Sequence, residues 1–120
     1  MKVSLITASY NSAATIADTI ISVASQSYNE IEHLIIDGAS SDATLSIVKT
    51  HIKGDHVVLS APDKGIYDAM NKGISAAKGE IIGIINSDDV YQDSEVIRDV
   101  MDHFERDPDL DIIYGDLVYV

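Results

Sequence analysis

The residues of this chain best equipped for chemistry are Asp88 and Asp89, neighbouring carboxylates in the stretch GEIIGIINSDDVYQ (79–92). About 4 Å apart, two such charges repel by about 4 kcal/mol at an effective dielectric of about 20. Water around an exposed turn offsets that repulsion, and so does a divalent cation. Hard cations take oxygen ligands, and Mg²⁺ is usually held by one or two carboxylates plus the phosphates of a substrate. Three further stretches offer polar groups. IIDGASSDAT (35–44) sets Asp37 at the end of an apolar run, with Asp42 following. A carboxylate there can accept a hydrogen bond from a base N–H, or Asp37 simply opens a turn and Asp42 caps a helix. TASYN (7–11) carries Ala8, small enough for a flat ring to approach the backbone, and Tyr10, which can stack on that ring. Such stacking contributes about 1–3 kcal/mol per base. An ordinary strand-to-helix turn explains the same residues. DKGIYDAMNKG (63–73) gathers Lys64, Asp68, Asn71 and Lys72 at a helix start. Lys64 can meet a diphosphate and Asp68 a sugar hydroxyl. Asn71, one turn later, can reinforce the second contact. An exposed polar helix face is the plainer account.

These residues need elements to hold them. Apolar, β-rich runs predict strands over VSLITA, IEHLIIDG, HVVLSAP, EIIGII and LDIIYGDLVYV. Between them the period changes to helical. Ile16, Ile20, Val23 and Ala24 mark one helix, with Asn11 or Ser12 as its cap. SSDATLSIVKTHIKG marks a second, with Ser41 or Asp42 as cap and Gly54 beyond its end. Ile66, Met70, Ile74 and Ala77 mark the apolar face of a third, stopped by Gly79. A fourth turns Val96, Val100, Met101 and Phe104 inward, with Asp93 or Ser94 as cap and Pro108 closing it. Alternating strands and helices imply an α/β fold of Rossmann-like type, a mostly parallel sheet with helices on both faces. Ligands of such sheets bind beyond the carboxyl ends of the strands, where Ser9, Tyr10, Asn11, Asp37, Gly38, Pro62, Asp63, Lys64 and the Asn86–Asp89 run all fall.

Composition narrows the classes. The chain has 120 residues, 46% hydrophobic and 23% charged, as an ordinary globular domain has. It has no cysteine, which removes disulfides, thiolate nucleophiles and zinc–thiolate sites. Its formal charge is −12, and from Asp88 onward eleven acidic residues face Arg98 and Arg106 alone. That balance argues against nucleic acid as a partner and against electrostatic docking of this segment on an anionic membrane. His33, His51, His56 and His103 lie far apart without ligand spacing, which points to structural roles. The glycines form neither a dinucleotide fingerprint nor a phosphate-binding loop.

Together, SLITASYN, IIDGASSDAT, DKGIYDAMNKGI and AKGEIIGIINSDD follow one another in the order and spacing of the donor half of family-two glycosyltransferases. GIYDAMNKG resembles the branch that builds bacterial exopolysaccharide, capsule and O-antigen. The resemblance spans essentially the whole chain. It implies the N-terminal, nucleotide-sugar-binding portion of a GT-A fold over residues 1–120, with the acceptor-binding half absent. It implies a nucleoside diphosphate-sugar donor, expected to be a UDP-sugar, and a saccharide or lipid-linked saccharide acceptor. Transfer in such enzymes is inverting, with Mn²⁺ or Mg²⁺ stabilising the leaving diphosphate. Residue by residue, it implies that Ala8 and Tyr10 flank the base and Asp37 bonds it. Asp88 contacts ribose and metal, and Asp89 holds metal. Lys64, Asp68 and Asn71 lie along the diphosphate and sugar. Asn86 stands where many relatives have Asp, and Met70 where many have Arg, so one acidic contact and one diphosphate contact differ. The general base is expected beyond residue 120, so the fragment is expected to be inactive alone. Cytoplasmic location follows, peripheral to the inner face of the membrane in full-length form, and so does pairing of copies through the apolar C-terminal strand.

Rival classes lack their marks. A phosphoacceptor receiver domain needs acids after its first strand and a Lys after its fifth, whereas here Ser-Tyr-Asn follows the first and no Lys follows Lys78. A nucleotidyltransferase needs a Gly-rich basic loop where SYNSAAT stands. A non-catalytic nucleotide- or partner-binding module on the same fold is the alternative.

Overall fold

A computed structural model describes residues 1–107 and 109. Four strands alternate with four helices: β1 Val3–Ser9, α1 Ile16–Ala24, β2 Ile31–Asp37, α2 Thr44–His51, β3 Asp55–Ser60, α3 Ile66–Ala76, β4 Ile81–Ile84 and α4 Val96–Arg106. The strands form one parallel sheet in the order β3-β2-β1-β4. The expected fifth strand and the stop at Pro108 lie outside the described residues.

Alternation along the strands assigns the faces. Val3 and Leu5 of β1 pack with Val23 of α1 and with Ile97, Met101 and Phe104 of α4. Ile6, between them in parity, packs with Leu34, Ile36 and Ala69 of α3 on the opposite face. Ile35 returns to the first face, against Ile16 and Ile20 of α1 and Val48 of α2. Helices therefore cover both faces, with α3 the one helix on its face among the described residues. At the amino end of the sheet, the fully buried Glu32 accepts bonds from Ser4 Oγ at 2.7 Å and Lys78 N–H at 3.0 Å, which tie the end of α3 to β1 and β2.

The face of α3 differs from the expected one. Ala69 and Gly73 are its buried residues, while Ile66 and Ile74 are each 47% exposed. Close approach decides this. A Cβ at Gly73 would lie 2.6 Å from Ile6 Cγ2, so the helix rests on the sheet through its smallest residues. β4 is also less buried than its apolar run suggests, since Ile82 and Ile84, on the α3 side of the sheet, are 42% and 48% exposed. In α4, Ile97 rather than Val96 leads the buried face.

The expected caps are corrected as well. Helix α1 begins at Ile16, after a turn in which Ser12 C=O accepts from Thr15 and Ile16 N–H, so neither Asn11 nor the Ser12 hydroxyl caps it. Asp42 accepts from Thr44 N–H at 3.0 Å and from the Thr44 hydroxyl, bracing the turn into α2 from just ahead of its N-cap, Ala43. Asp93 braces Glu95 N–H in the same way, and the α4 amide of Ile97 is met from across the fold by Gln26 Oε1 at 3.0 Å.

Candidate functional site

Strand register brings the polar strand ends to one rim. Ser9 of β1 stands opposite Asp37 of β2, and Asp37 opposite Ser60 of β3. On the other side of β1, Ile84 pairs with Ile6, and Ile85 N–H donates to Ile6 C=O at 3.0 Å, which leads β4 out at the same rim. Tyr10, Asp37 and Asp88 thus leave the sheet on one side.

Hydroxyls and one amide side chain fasten the loops there. Ser12 Oγ and Ser87 Oγ share a hydrogen bond of 2.9 Å. Thr19 Oγ1 of α1 donates to Asp89 C=O at 2.6 Å. Asn11, at φ 48°, accepts with Oδ1 from Ser41 N–H at 2.8 Å and Asp42 N–H at 3.4 Å. Its own N–H donates to Ser40 Oγ at 2.8 Å. The loops after β1, β2 and β4 are therefore one bonded unit.

Asp37 occupies the centre of the rim but is only 1% exposed. Its Oδ1 accepts from Ser9 Oγ at 2.7 Å and Ser40 Oγ at 2.6 Å, and its Oδ2 from Ser40 N–H at 2.8 Å and Ser60 Oγ at 2.9 Å. Burial pushes this carboxyl up, but the bonds from Ser40, Ser9 and Ser60 outweigh it and hold it below the usual carboxylate range. A direct bond from Asp37 to a base has to displace or share one of these contacts. Tyr10 is the opposite case: it is 66% exposed, beside the half-buried Ala8.

The residues from the start of α3 are partly committed. Asp68 Oδ2 accepts Lys64 N–H at 3.0 Å and lies 3.6 Å from Lys72 Nζ. The Lys64 bond, helped by the Lys72 charge, holds the Asp68 carboxyl below its usual range despite opposing desolvation. Lys64 and Asn71 are exposed, and their side chains have no protein partner among the described residues. Asp63, which sequence reasoning left without a role, gives Oδ1 to Gly65 N–H at 3.0 Å and lies against Gly38. The hold of Ser9 and Ser60 on Asp37 and the Ser12–Ser87 and Thr19–Asp89 ties were also missed, because their partners are far apart in the chain, and so was Ser40, three residues from Asp37 in an ordinary-looking turn.

Asn86 C=O accepts Asp89 N–H at 3.1 Å, closing a turn that holds the acidic pair. Asp88 is exposed and Asp89 half-buried, and neither carboxylate accepts a hydrogen bond among the described residues. No cluster of three or more acidic, His or Cys side chains encloses a cation among the described residues. Two unspent carboxylates fit Mn²⁺ or Mg²⁺ as partial ligands, with diphosphate oxygens and water completing the shell.

The family model of glycosyl transferase family 2 matches residues 4–119. The chain belongs to that family. An uncharacterized glycosyltransferase of Mycobacterium tuberculosis is 36% identical over 101 residues, covering 83% of this chain and 38% of the relative. A PGL/p-HBAD biosynthesis glycosyltransferase of Mycobacterium bovis is 29% identical over 118 residues, covering 96% of this chain and 46% of its own. The chain thus spans less than half the length of these curated relatives. Among solved structures, S. aureus TarS 1-349 in complex with UDP-GlcNAc matches with a TM-score of 0.78 at 28% identity, over 88% of this chain and 32% of that one. The mannosyltransferase PcManGT from Pyrobaculum calidifontis, in complex with GDP-Man and Mn²⁺, matches at TM-score 0.79 and 24% identity, over 86% of this chain and 32% of that one, and speaks to the fold. The α/β architecture is that of GT-A glycosyltransferases.

Proposed function

We propose that this chain is the donor-binding portion of an inverting glycosyltransferase of cell-surface polysaccharide synthesis. It binds a nucleoside diphosphate-sugar, a UDP-sugar in the first instance, with Mn²⁺ or Mg²⁺. The observation that carries the reading is the convergence of Tyr10, Lys64, Asp68, Asp88 and Asp89 on the carboxyl rim of one parallel sheet, with the acidic pair unspent. The UDP-GlcNAc complex of TarS and the relation to TuaG of Bacillus subtilis, named for teichuronic acid biosynthesis and 35% identical over 107 residues, favour this donor class and pathway type.

Tyr10 stacks on the base beside Ala8. Asp37 holds the strand ends that frame the base and bonds the base in place of, or alongside, one of its serine contacts. Asp88 takes the ribose and shares the cation with Asp89, while Lys64 and Asn71 follow the diphosphate and sugar. Asp68, braced by Lys64 N–H and Lys72, presents its carboxylate to a sugar hydroxyl. A cation held by Asp88 and Asp89 would neutralise the charge that develops on the departing diphosphate. In the transfer this reading implies, an acceptor hydroxyl on a saccharide or lipid-linked saccharide would give its proton to a base outside these donor-side residues and attack the anomeric carbon as the bond to phosphate breaks. These 120 residues alone bind donor and do not transfer it. A cytoplasmic site, peripheral to the membrane, suits a soluble activated sugar and a lipid-linked acceptor. No helix of the described residues is long and apolar enough to cross a membrane.

Thermal stability with UDP, GDP, CDP and ADP, each with Mn²⁺ and with chelator, tests the reading. A ligand at about 100 times its dissociation constant adds about 2.7 kcal/mol. UDP is expected to stabilise the chain only with metal, and Asp89→Ala to abolish that metal dependence. A chain indifferent to all four nucleotides does not bind such a donor.

A further inference from the structure

A groove of about 310 Å³ runs between α1 and the loop that follows the acidic pair. One wall is a stripe along α1 and its C-cap, Asp18, Ile21, Ser22 and Ser25, at helical steps of three and four residues. The other wall comes from residues 90–94. Three hydrogen bonds pin the walls together. Tyr91 N–H donates to Ser22 Oγ at 2.7 Å, Gln26 Nε2 to Asp93 C=O at 2.7 Å and Ser27 N–H to Ser94 C=O at 2.8 Å. The groove is therefore built into the fold rather than left between loose loops. Its lining joins two kinds of surface: Ile21 and Val90 are exposed apolar side chains, and Asp18 and Asp93 are exposed carboxylates. Asp93 gives Oδ1 to Glu95 N–H at 2.8 Å, while its Oδ2 and both Asp18 oxygens accept no bond among the described residues. No Lys, Arg or His lines the groove. Arg98, beside Ser27, is committed to Ser27 C=O at 2.8 Å and to Glu95 at 3.7 Å.

We propose that this groove is the docking site for a basic, arginine-bearing segment of a partner protein. Size sets the scale. Small-molecule pockets run from about 300 to 1,000 Å³, and this groove lies at the bottom of that range, with room for one long side chain and its flanks. Charge sets the sign. Two carboxylates without a cation repel a phosphate, and a second copy of this chain brings its own formal charge of −12 against the same charge. An arginine side chain matches both surfaces at once. Its apolar stem lies along Ile21 and Val90. Its guanidinium meets the free oxygens of Asp18 and Asp93, and its flat face stacks on Tyr91. Lysine lacks that flat, forked head and matches less well. None of the residues assigned to the donor lines the groove, so the proposal stands apart from the donor reading.

The test is an NMR titration of the 120-residue chain with millimolar acetyl-Ala-Leu-Arg-Leu-Ala-amide, read at the backbone amides of Ser22, Ser25, Tyr91 and Ser94. Two control peptides carry norleucine or glutamate in place of the arginine. The arginine peptide is expected to shift those four amides and to bind at least about fivefold tighter than the norleucine peptide, and the glutamate peptide not to bind. Asp18→Asn and Asp93→Asn are each expected to weaken binding by up to about fivefold, the reach of an exposed ion pair, and the double variant by about tenfold. Asparagine at 93 keeps an oxygen for Glu95 N–H, so the loop survives. Asp99→Asn, which removes an exposed charge from α4 instead, is expected to leave the affinity unchanged. Equal binding of the arginine peptide and either control overturns the proposal, as does an equal loss in Asp99→Asn and Asp93→Asn. Silence at the four amides, or shifts confined to Asp88 and Asp89, overturns it too. Groove shifts that grow with protein concentration alone make a second copy the occupant and overturn it likewise.

Discussion

Asp37 holds four hydrogen bonds away from water, and that fixes what its loss does. Asp37→Ala strips partners from the buried Ser9, the half-buried Ser40 and the exposed Ser60; water can replace the carboxylate at the last two, whereas a buried polar group left unpaired costs about 1–3 kcal/mol. Urea unfolding is expected to register a loss of about 1–3 kcal/mol, whereas Asp88→Ala, at an exposed residue, should leave the midpoint nearly where it was. A second buried titratable group responds to pH in the same direction as Asp37, over a higher window. Burial, and to a lesser degree the nearby His56, lowers His33 from its ordinary value of 6.5 to about 4, and its ring bonds Thr7 Oγ1 at 2.9 Å. The unfolded chain therefore takes up a proton that the folded chain refuses. Stability is full above pH 6.5 and falls as the pH drops toward 4, by about 3 kcal/mol in all. Thermal melts from pH 7.5 to 4 should show that slope, and His33→Gln should flatten it. Sequence alone marked Asp37 as a strand-end carboxylate. Its capture was not visible, because Ser9 and Ser60 belong to two other strands that only the register aligns with it, while the nearby Ser40 reads in the sequence as an ordinary turn residue.

At the scale of elements, helix α3 shows how small residues set a contact. Ile6 is fully buried and cannot retreat from a new methyl group at position 73. Gly73→Ala gains up to about 1 kcal/mol of helix propensity, yet overpacking costs about 1–3 kcal/mol. The variant is expected to be less stable in urea, and Gly73→Val markedly so; a more stable Gly73→Ala would mean that α3 can lift off the sheet. The four described strands were legible because each is a short apolar run bounded by turn residues. The seat of α3 was not. Ile66, Met70, Ile74 and Ala77 make the strongest helical period in that stretch, while the line in contact is Ala69 and Gly73, and no pattern of hydrophobicity reports how near two backbones must come. Caps failed for a related reason: Asn11 has the right chemistry for a helix start but spends it on the Ser41 and Asp42 amides.

For the molecule as a whole, charge and ligand oppose each other. Asp42, Asp63, Asp68, Asp88 and Asp89 crowd the rim of a chain with formal charge −12, and a diphosphate must approach against that field. Screening shortens from about 30 Å at 0.01 M salt to about 8 Å at 0.15 M. The association rate of UDP is thus expected to rise over that range, contrary to ordinary anion binding; stopped-flow mixing with a falling rate would mean that Lys64 and Lys72 govern the local potential. The same lowering of long-range repulsion exposes a handling problem rooted in β4. Ile82 and Ile84 leave a greasy shelf open on the sheet, and bare apolar surface of this kind is sticky. Concentrated stocks should turn turbid first in salty buffer, and one lysine in place of Ile84 should keep them clear.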